Sequence, residues 1–306
     1  MPKKLRIAII GCKNMGQKHL KCLQTYFSDK VKIAGILNSS PESTQKTASE
    51  LNLSPLKGLE TLNRRKVDAA IIATPPENHF QTAKTLLEKK IPLLVEKPFA
   101  ENAEQCLELI RLAKKNNIPL LVGHTENYNP AVLLLKELLT EPILSVAGIR
   151  TSKNGGIKKT HIISELMIHD LAIVESLIKD DWCEIRIDKD SKYRWDEHAI
   201  VEIKYSSNTI LKLEALRTYD AELKRQMRII DAKNNIWLIR FLERELYKNN
   251  ECLCSGGDSL KNELEDFIKV VLREKNPNID IYDAMKIVHF CNELKDINKN
   301  IVSTLA

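Results

Sequence analysis

Glu96-Lys97-Pro98 follows directly on the apolar run Ile-Pro-Leu-Leu-Val at 91–95. A strand stops at such a charged pair and proline, leaving Lys97 at its carboxyl end, where open α/β sheets keep their ligand crevice. A lysine there can hold an anionic oxygen or move a proton, although a lysine before a proline is also a common solvated turn. A second group, Glu165 and His169, stands four residues apart in a mostly apolar stretch, the spacing that puts two side chains on one helix face. A carboxylate beside an imidazole can set its tautomer and raise its basicity; the plainer alternative is a core histidine satisfied locally. His161 extends this stripe, but neither His-Glu-x-x-His nor a cysteine partner accompanies it, so no metal is expected.

The third group is Gly11-Cys12-Lys13-Asn14-Met15-Gly16, placed after an apolar strand and at the start of a helix. Backbone N–H groups at such a junction can hold a pyrophosphate. Gly11 and Gly16 match the first and third glycines of a dinucleotide fingerprint, and Lys13 replaces the middle one, which normally lets the backbone approach the phosphates. The next strand ends in Leu37-Asn38-Ser39-Ser40, without the carboxylate that would bind an NAD ribose. Nothing there repels a 2′-phosphate, and Lys13 adds positive charge, so the expected cofactor is NAD or NADP, leaning to NADP.

These residues need a scaffold. Strand-like runs at 5–10, 31–37, 69–73, 91–95 and 120–122 alternate with helical stretches near 15–26, 77–89 and 103–116. Asn102 and Gln105 have capping-box spacing. This alternation predicts a Rossmann-type doubly wound parallel sheet. Beyond it, a helix is expected near 130–139, a strand near 143–151 and a helix near 162–178. From 184 to 248 the period becomes two, as in Leu211-Lys212-Leu213-Glu214-Ala215, which suits an antiparallel sheet with one covered face. Turns are expected at 206–208 and 233–235, and a terminal helix carries Leu260, Leu264, Phe267, Ile268 and Val271 on one face. The expected class is α/β: a dinucleotide-binding domain over residues 1–122, then an α+β domain over 123–306 with a largely antiparallel sheet.

Composition limits the alternatives. The 306 residues are 43% hydrophobic and 29% charged, with a net charge of +6 spread along the chain. Aromatic residues make up only 5%, which argues against a stacking platform for nucleic acid. The first apolar run is too short for a signal peptide core, and no segment is long enough to span a bilayer. Seven irregularly spaced cysteines fit thiols in a reducing cytoplasm.

In order, the words Ile9-Ile10-Gly11 through Gly16 with His19, Ala73-Thr74-Pro75-Pro76-Glu77-Asn78-His79, Glu96-Lys97-Pro98, Val122-Gly123-His124 through Asn129-Pro130, and Ile168-His169-Asp170 resemble the glucose-fructose oxidoreductase/inositol dehydrogenase (Gfo/Idh/MocA) family. The Val-Gly-His to Asn-Pro word is similar to its UDP-N-acetylglucosamine 3-dehydrogenase-like branch, which acts on nucleotide-activated amino sugars. An arginine usually stands there at Asn127 and an acid at Ala172. The resemblance implies that the sheet of the second domain is open and that this domain serves substrate binding and oligomerisation, with hydride transfer between a nicotinamide and a sugar, polyol or nucleotide sugar in a homo-oligomer (dimer or tetramer) joined through the C-terminal sheet. It implies Lys97, His169 and Glu165 as catalytic residues. Gly11, Lys13, Asn14, Met15, Gly16, Asn38, Ser39, Thr74, Pro75, His79, Glu96 and Lys97 would bind the cofactor. Tyr128, Asn129 and His169 would contact the substrate. Two other readings remain: a family member without catalysis that serves as a binding or structural subunit, motivated by Lys13, Asn127 and Ala172, and an imine or enone reductase on the same scaffold.

Overall fold

A computed structural model describes residues 4–153, 161–187, 197–217 and 222–305. The chain forms two compact units: Met1–His124 with Leu260–His289, and Thr125–Ser259 with Phe290–Ala306.

In the first unit, β1 (Leu5–Ile10), α1 (Asn14–Tyr26), β2 (Val31–Leu37), α2 (Pro41–Glu50), β3 (Ala69–Ile72), α3 (His79–Glu88), β4 (Leu93–Glu96), α4 (Ala103–Lys115) and β5 (Leu120–Gly123) follow in chain order. The strands lie in the order β2-β1-β3-β4-β5, and every neighbouring pair is parallel. All residues of β3, β4 and β5 are buried, as expected for strands covered on both faces. The chain leaves β1 toward β2 on one side and later returns to β3 on the other. That reversal is a topological switch point, where the carboxyl ends of the strands open a crevice.

Local residue choice explains the helix starts. Ser40 caps α2 in a reciprocal capping box with Ser43. Asn102 accepts from the Gln105 backbone N–H at 2.9 Å and caps α4. The expected capping box is only half formed, because the Gln105 side chain accepts from the Glu101 N–H instead of that of Asn102. α2 has no apolar stripe: its buried residues are Thr44 and Ala48.

The second unit contains α5 (Pro130–Leu138), β6 (Ile143–Ser152), α6 (Ile168–Leu177), β7 (Trp182–Ile187), β8 (His198–Tyr205), β9 (Ile210–Arg217), β10 (Arg225–Asp231), β11 (Ile236–Arg240), β12 (Glu245–Lys248) and β13 (Glu251–Cys254). Its sheet order is β13-β12-β11-β10-β6-β9-β8-β7. All pairs are antiparallel except β6 with β9. The period of two is visible in β9, where Leu211, Leu213, Ala215 and Arg217 are buried and the residues between them are less so. The expected turns form, with Asn208 and Asn234 at φ 66° and 60°, a left-handed conformation that asparagine tolerates.

After the second sheet, α7 (Ser259–Val271) leads toward α8 (Ile281–Leu305). A single boundary near residue 123 was expected, but residues 260–289 belong to the first unit. The reason is hydrophobic: Leu264, Phe267, Ile268 and Val270 join the core formed by Ile7, Ile9, Leu23, Phe27, Ile71 and Leu94. Among the described residues no helix is long and apolar enough to cross a membrane.

Candidate active site

β1 is followed directly by Gly11 at φ +88°, which glycine adopts without strain. A Cβ on Gly11 would lie 2.6 Å from the backbone of Ala73 and Thr74, and one on Gly16 would lie 2.0 Å from the Gly11 carbonyl oxygen. Both glycines are therefore required by close backbone approach. Lys13 sits at φ −107° as the residue before α1, so its position does not need a glycine. No side chain caps α1, and its first turn holds no acid. Its first N–H groups thus keep the donor capacity and partial positive charge of a helix N-terminus.

A cavity of about 640 Å³ opens at this end of the sheet. Of the sequence-predicted cofactor residues it is lined by Gly11, Lys13, Asn14, Met15, Asn38, Ser39, Thr74, Pro75, Glu96 and Lys97. Gly16 and His79 stand behind it. His79 is buried, with its ring nitrogens 2.8 Å from the carbonyl oxygens of Thr74 and Pro98, and so fastens the two loops that flank Lys97. Asn38 has a structural duty as well: its Oδ1 accepts from the Cys12 N–H at 2.8 Å, and its Nδ2 donates to Ser43 and Thr47. It braces the glycine loop, which leaves the exposed Ser39 beside it.

Among the described residues Glu96 is the only carboxylate lining the cavity. Its Oε1 lies 2.7 Å from Nε2 of His19, a fully buried residue of α1. Burial would raise the Glu96 carboxyl, but His19 and then Lys97 hold it below the usual carboxylate range. Lys97 begins the turn after β4, joined to Pro98 by a cis peptide.

In the second unit the expected helix over 162–178 is not uniform. A π-helical turn, Ile163–Met167, precedes α6 and carries Glu165; such turns are frequent at functional sites. His169 is half-buried in the first turn of α6. Glu165, expected to orient His169, accepts at Oε2 from the Arg217 guanidinium at 2.5 Å. Asp170, which follows His169, accepts from Nε and one terminal nitrogen of Arg150 at 2.9 and 2.8 Å, and the other terminal nitrogen donates to Glu126 at 3.0 Å. Burial pushes the Asp170 carboxyl upward, against the pull of Arg150.

Tyr128 and Asn129 were expected to contact substrate, and the structure places both inside. Tyr128 is 2% exposed and Asn129 1%. Asn129 caps α5 by accepting from the Ala131 N–H, and donates to Phe241 and Glu126. Sequence reasoning missed Arg150 and Arg217. Both continue the core parity of their strands, after Val146 and Gly148 in one and Leu213 and Ala215 in the other. A charged residue at a core position demands a buried partner, and that signal was available. Among the described residues no three His, Cys, Asp or Glu side chains gather as metal ligands.

The cavity fits a dinucleotide. The glycine cradle is one that a Cβ would fill, α1 presents uncapped N–H groups, and the Thr74 hydroxyl on the lining is buried without a hydrogen-bond partner. Gly11, Gly16 and the start of α1 would hold the pyrophosphate.

Comparisons with known proteins agree. Residues 5–124 match the Gfo/Idh/MocA family, described as an oxidoreductase family with an NAD-binding Rossmann fold. UDP-N-acetylglucosamine 3-dehydrogenase of Acidithiobacillus ferrooxidans is 24% identical over 290 residues, covering 87% of this chain and 88% of that protein. Its solved structure superposes with a TM-score of 0.86 at 23% identity over 95% of this chain and 96% of the other. The structure of GenD2 from gentamicin A biosynthesis in complex with NAD gives a TM-score of 0.79 at 15% identity, over 95% and 93% of the two chains. Myo-inositol 2-dehydrogenase from Lactobacillus plantarum gives 0.78 at 16% identity, over 96% and 97%. With its strand order and glycine cradle, the segment 5–124 is what matches the NAD-binding Rossmann fold of the Gfo/Idh/MocA oxidoreductase family.

Proposed function

We propose that this chain transfers hydride between NAD(P) and a secondary alcohol or ketone of a sugar-like substrate, with a nucleotide sugar as the leading candidate. The observation that carries the reading is that Lys97 lines the same cavity as the glycine cradle. When bound, the cofactor would supply the hydride acceptor or donor at its nicotinamide. Lys97 polarises or protonates the reacting oxygen, because an ammonium at that atom stabilises negative charge as it develops. His169 takes the hydroxyl proton. Arg217 holds Glu165, and Glu165 in turn supports the π turn that leads into His169.

NADP is favoured over NAD. Among the described residues, the side chains that line the cavity beside Asn38 and Ser39 include no carboxylate, and Lys13 lines it with an exposed side chain. The family relationship to UDP-N-acetylglucosamine 3-dehydrogenase, matched along most of both chains, supports the nucleotide-sugar candidate. A homo-oligomer through the second sheet fits its alternation, since Ile210, Lys212, Glu202 and Lys204 lie on the side away from the buried residues. The inactive-subunit alternative loses its main motive, because Lys13 occupies a backbone conformation that suits it.

Fluorescence titration with NADPH and NADH, followed by turnover assays on nucleotide sugars, inositols and free hexoses, tests the proposal. Saturable binding with NADPH tighter and turnover of a nucleotide sugar is the expected result. Absence of binding by either cofactor would overturn it.

A further inference from the structure

Three arginines of the second sheet face the side covered by the α6 segment. Arg150 and Arg217 show this by their bonds to Asp170 and Glu165. Arg225 stands directly opposite Arg150 in the β6–β10 ladder, and residues directly opposite in an antiparallel pair share a face.

The three differ in how their donors are used. Arg150 is 1% exposed and gives Nε and one terminal nitrogen to Asp170 and the other to Glu126. Arg217 bonds Glu165. Arg225 is half-buried, its Nε is buried without a partner, and among the described residues no acceptor meets its guanidinium. Burial, and then repulsion from Arg150, weaken its hold on its proton.

The neighbouring anions are already engaged. Both Asp170 oxygens accept from Arg150, and Glu126 accepts from Arg150 and Asn129. A guanidinium presents five N–H donors in a planar fork that matches a carboxylate or phosphate. Leaving that fork half-desolvated and empty is unfavourable, and a neutral polyol has no charge to offset it. Asp170 follows His169 in α6, so this layer of arginines adjoins the helix that carries the proposed base.

We infer that Arg225 recognises an oxyanion of the substrate, so that the substrate is a sugar bearing a phosphate or a carboxylate rather than a neutral polyol. This rests on the proposed function, in which the second unit binds the substrate. The phosphate source is the diphosphate of a nucleotide sugar, and the carboxylate source is a sugar acid.

The test is isothermal titration of the full chain with uridine diphosphate, glucuronate and myo-inositol. One oxyanion should bind, and its identity separates the two sources; myo-inositol should not compete. Arg225→Gln should weaken that binding by about tenfold or more, the loss of a charge-assisted hydrogen bond. Arg228→Gln, an equal change of charge at an exposed position of the same strand, should change it by less than roughly twofold. Failure of both oxyanions to bind the unmodified protein, or equal weakening by the two variants, would overturn the inference. If Arg225→Gln does not fold, Arg225→Lys keeps the charge and loses the fork; unaltered binding by that variant also overturns it. NADPH titration of the same samples separates the two ideas: intact NADPH binding without oxyanion binding removes this inference alone, whereas absent NADPH binding removes the proposed function.

Discussion

Nε2 of His19 lies 2.7 Å from Oε1 of Glu96, so the helix that follows the glycine loop, the proposed phosphate loop, is tied to the strand end that presents Lys97. The two residues are 77 positions apart, and both are buried. Glu96→Gln keeps the shape and removes the charge. It should cost about 1–3 kcal/mol of stability and weaken cofactor binding, because the phosphate loop loses its anchor. Chemical denaturation together with NADPH titration checks both.

Gly16→Ala should abolish cofactor binding, since its Cβ would overlap the Gly11 carbonyl. Lys13→Gly should leave folding unchanged, because Lys13 has a negative φ and an exposed side chain. If Lys13 meets a 2′-phosphate, that variant weakens NADPH more than NADH, and the ratio of the two dissociation constants is the quantity to follow.

Lys97→Ala should lower turnover by about a hundredfold or more, the usual scale for a lost acid–base group, while cofactor affinity falls far less. Steady-state rates set beside direct NADPH binding give the comparison. Turnover equal to that of the unmodified protein would remove Lys97 from the chemistry.

His124 is buried at the end of β5, and among the described residues neither ring nitrogen has a hydrogen-bond partner. Burial, with Lys97 adding to it and Glu96 opposing, lowers its pKa to about 4. An unfolded histidine titrates near about 6.5, so between these values the unfolded chain binds the extra proton. The stabilisation is therefore complete above about pH 6.5 and is lost as pH falls toward 4, by ~3 kcal/mol in all. Urea denaturation at pH 7.5 and 5 should show this loss, and His124→Leu should flatten it.

Asp170→Asn removes the bidentate partner of Arg150 and leaves that buried charge only its single bond to Glu126. The expected loss is about 3–5 kcal/mol, read from thermal or urea melts. Arg150→Met with Asp170→Leu should recover much of it, because well-packed apolar pairs replace buried ion pairs at little cost.

Much of the first unit was legible because its signals are local. The run Leu5–Ile10, the glycines at 11 and 16, and the proline after Lys97 each constrain the backbone within a few residues. The helix α2 was not legible, since Pro41–Glu50 buries only Thr44 and Ala48 and its start depends on a serine pair. The π turn at Ile163–Met167 was hidden because its residues are ordinary helix formers in an apolar stretch. The partner of Glu165 was hidden for a different reason: Arg217 is 52 residues away, and only the parity of β9 hints that it points inward. Asn38 was expected to bind the cofactor; its second duty, the bond to the Cys12 N–H, comes from how β1 and β2 pair, which spacing alone does not reveal.

The return of residues 260–289 to the first unit has a consequence for biosynthesis. Emerging from the ribosome, residues 1–124 contain every strand of the parallel sheet, yet the face that Leu264, Phe267 and Ile268 will cover stays wet until the second sheet has been translated. Domains tend to fold as units from the N-terminus onward, and uncovered apolar surface makes intermediates sticky. The nascent chain is thus a natural client for chaperones during that interval. A fragment ending at 124 should aggregate when expressed alone, whereas a circular permutant that joins 260–289 to the first segment should fold early.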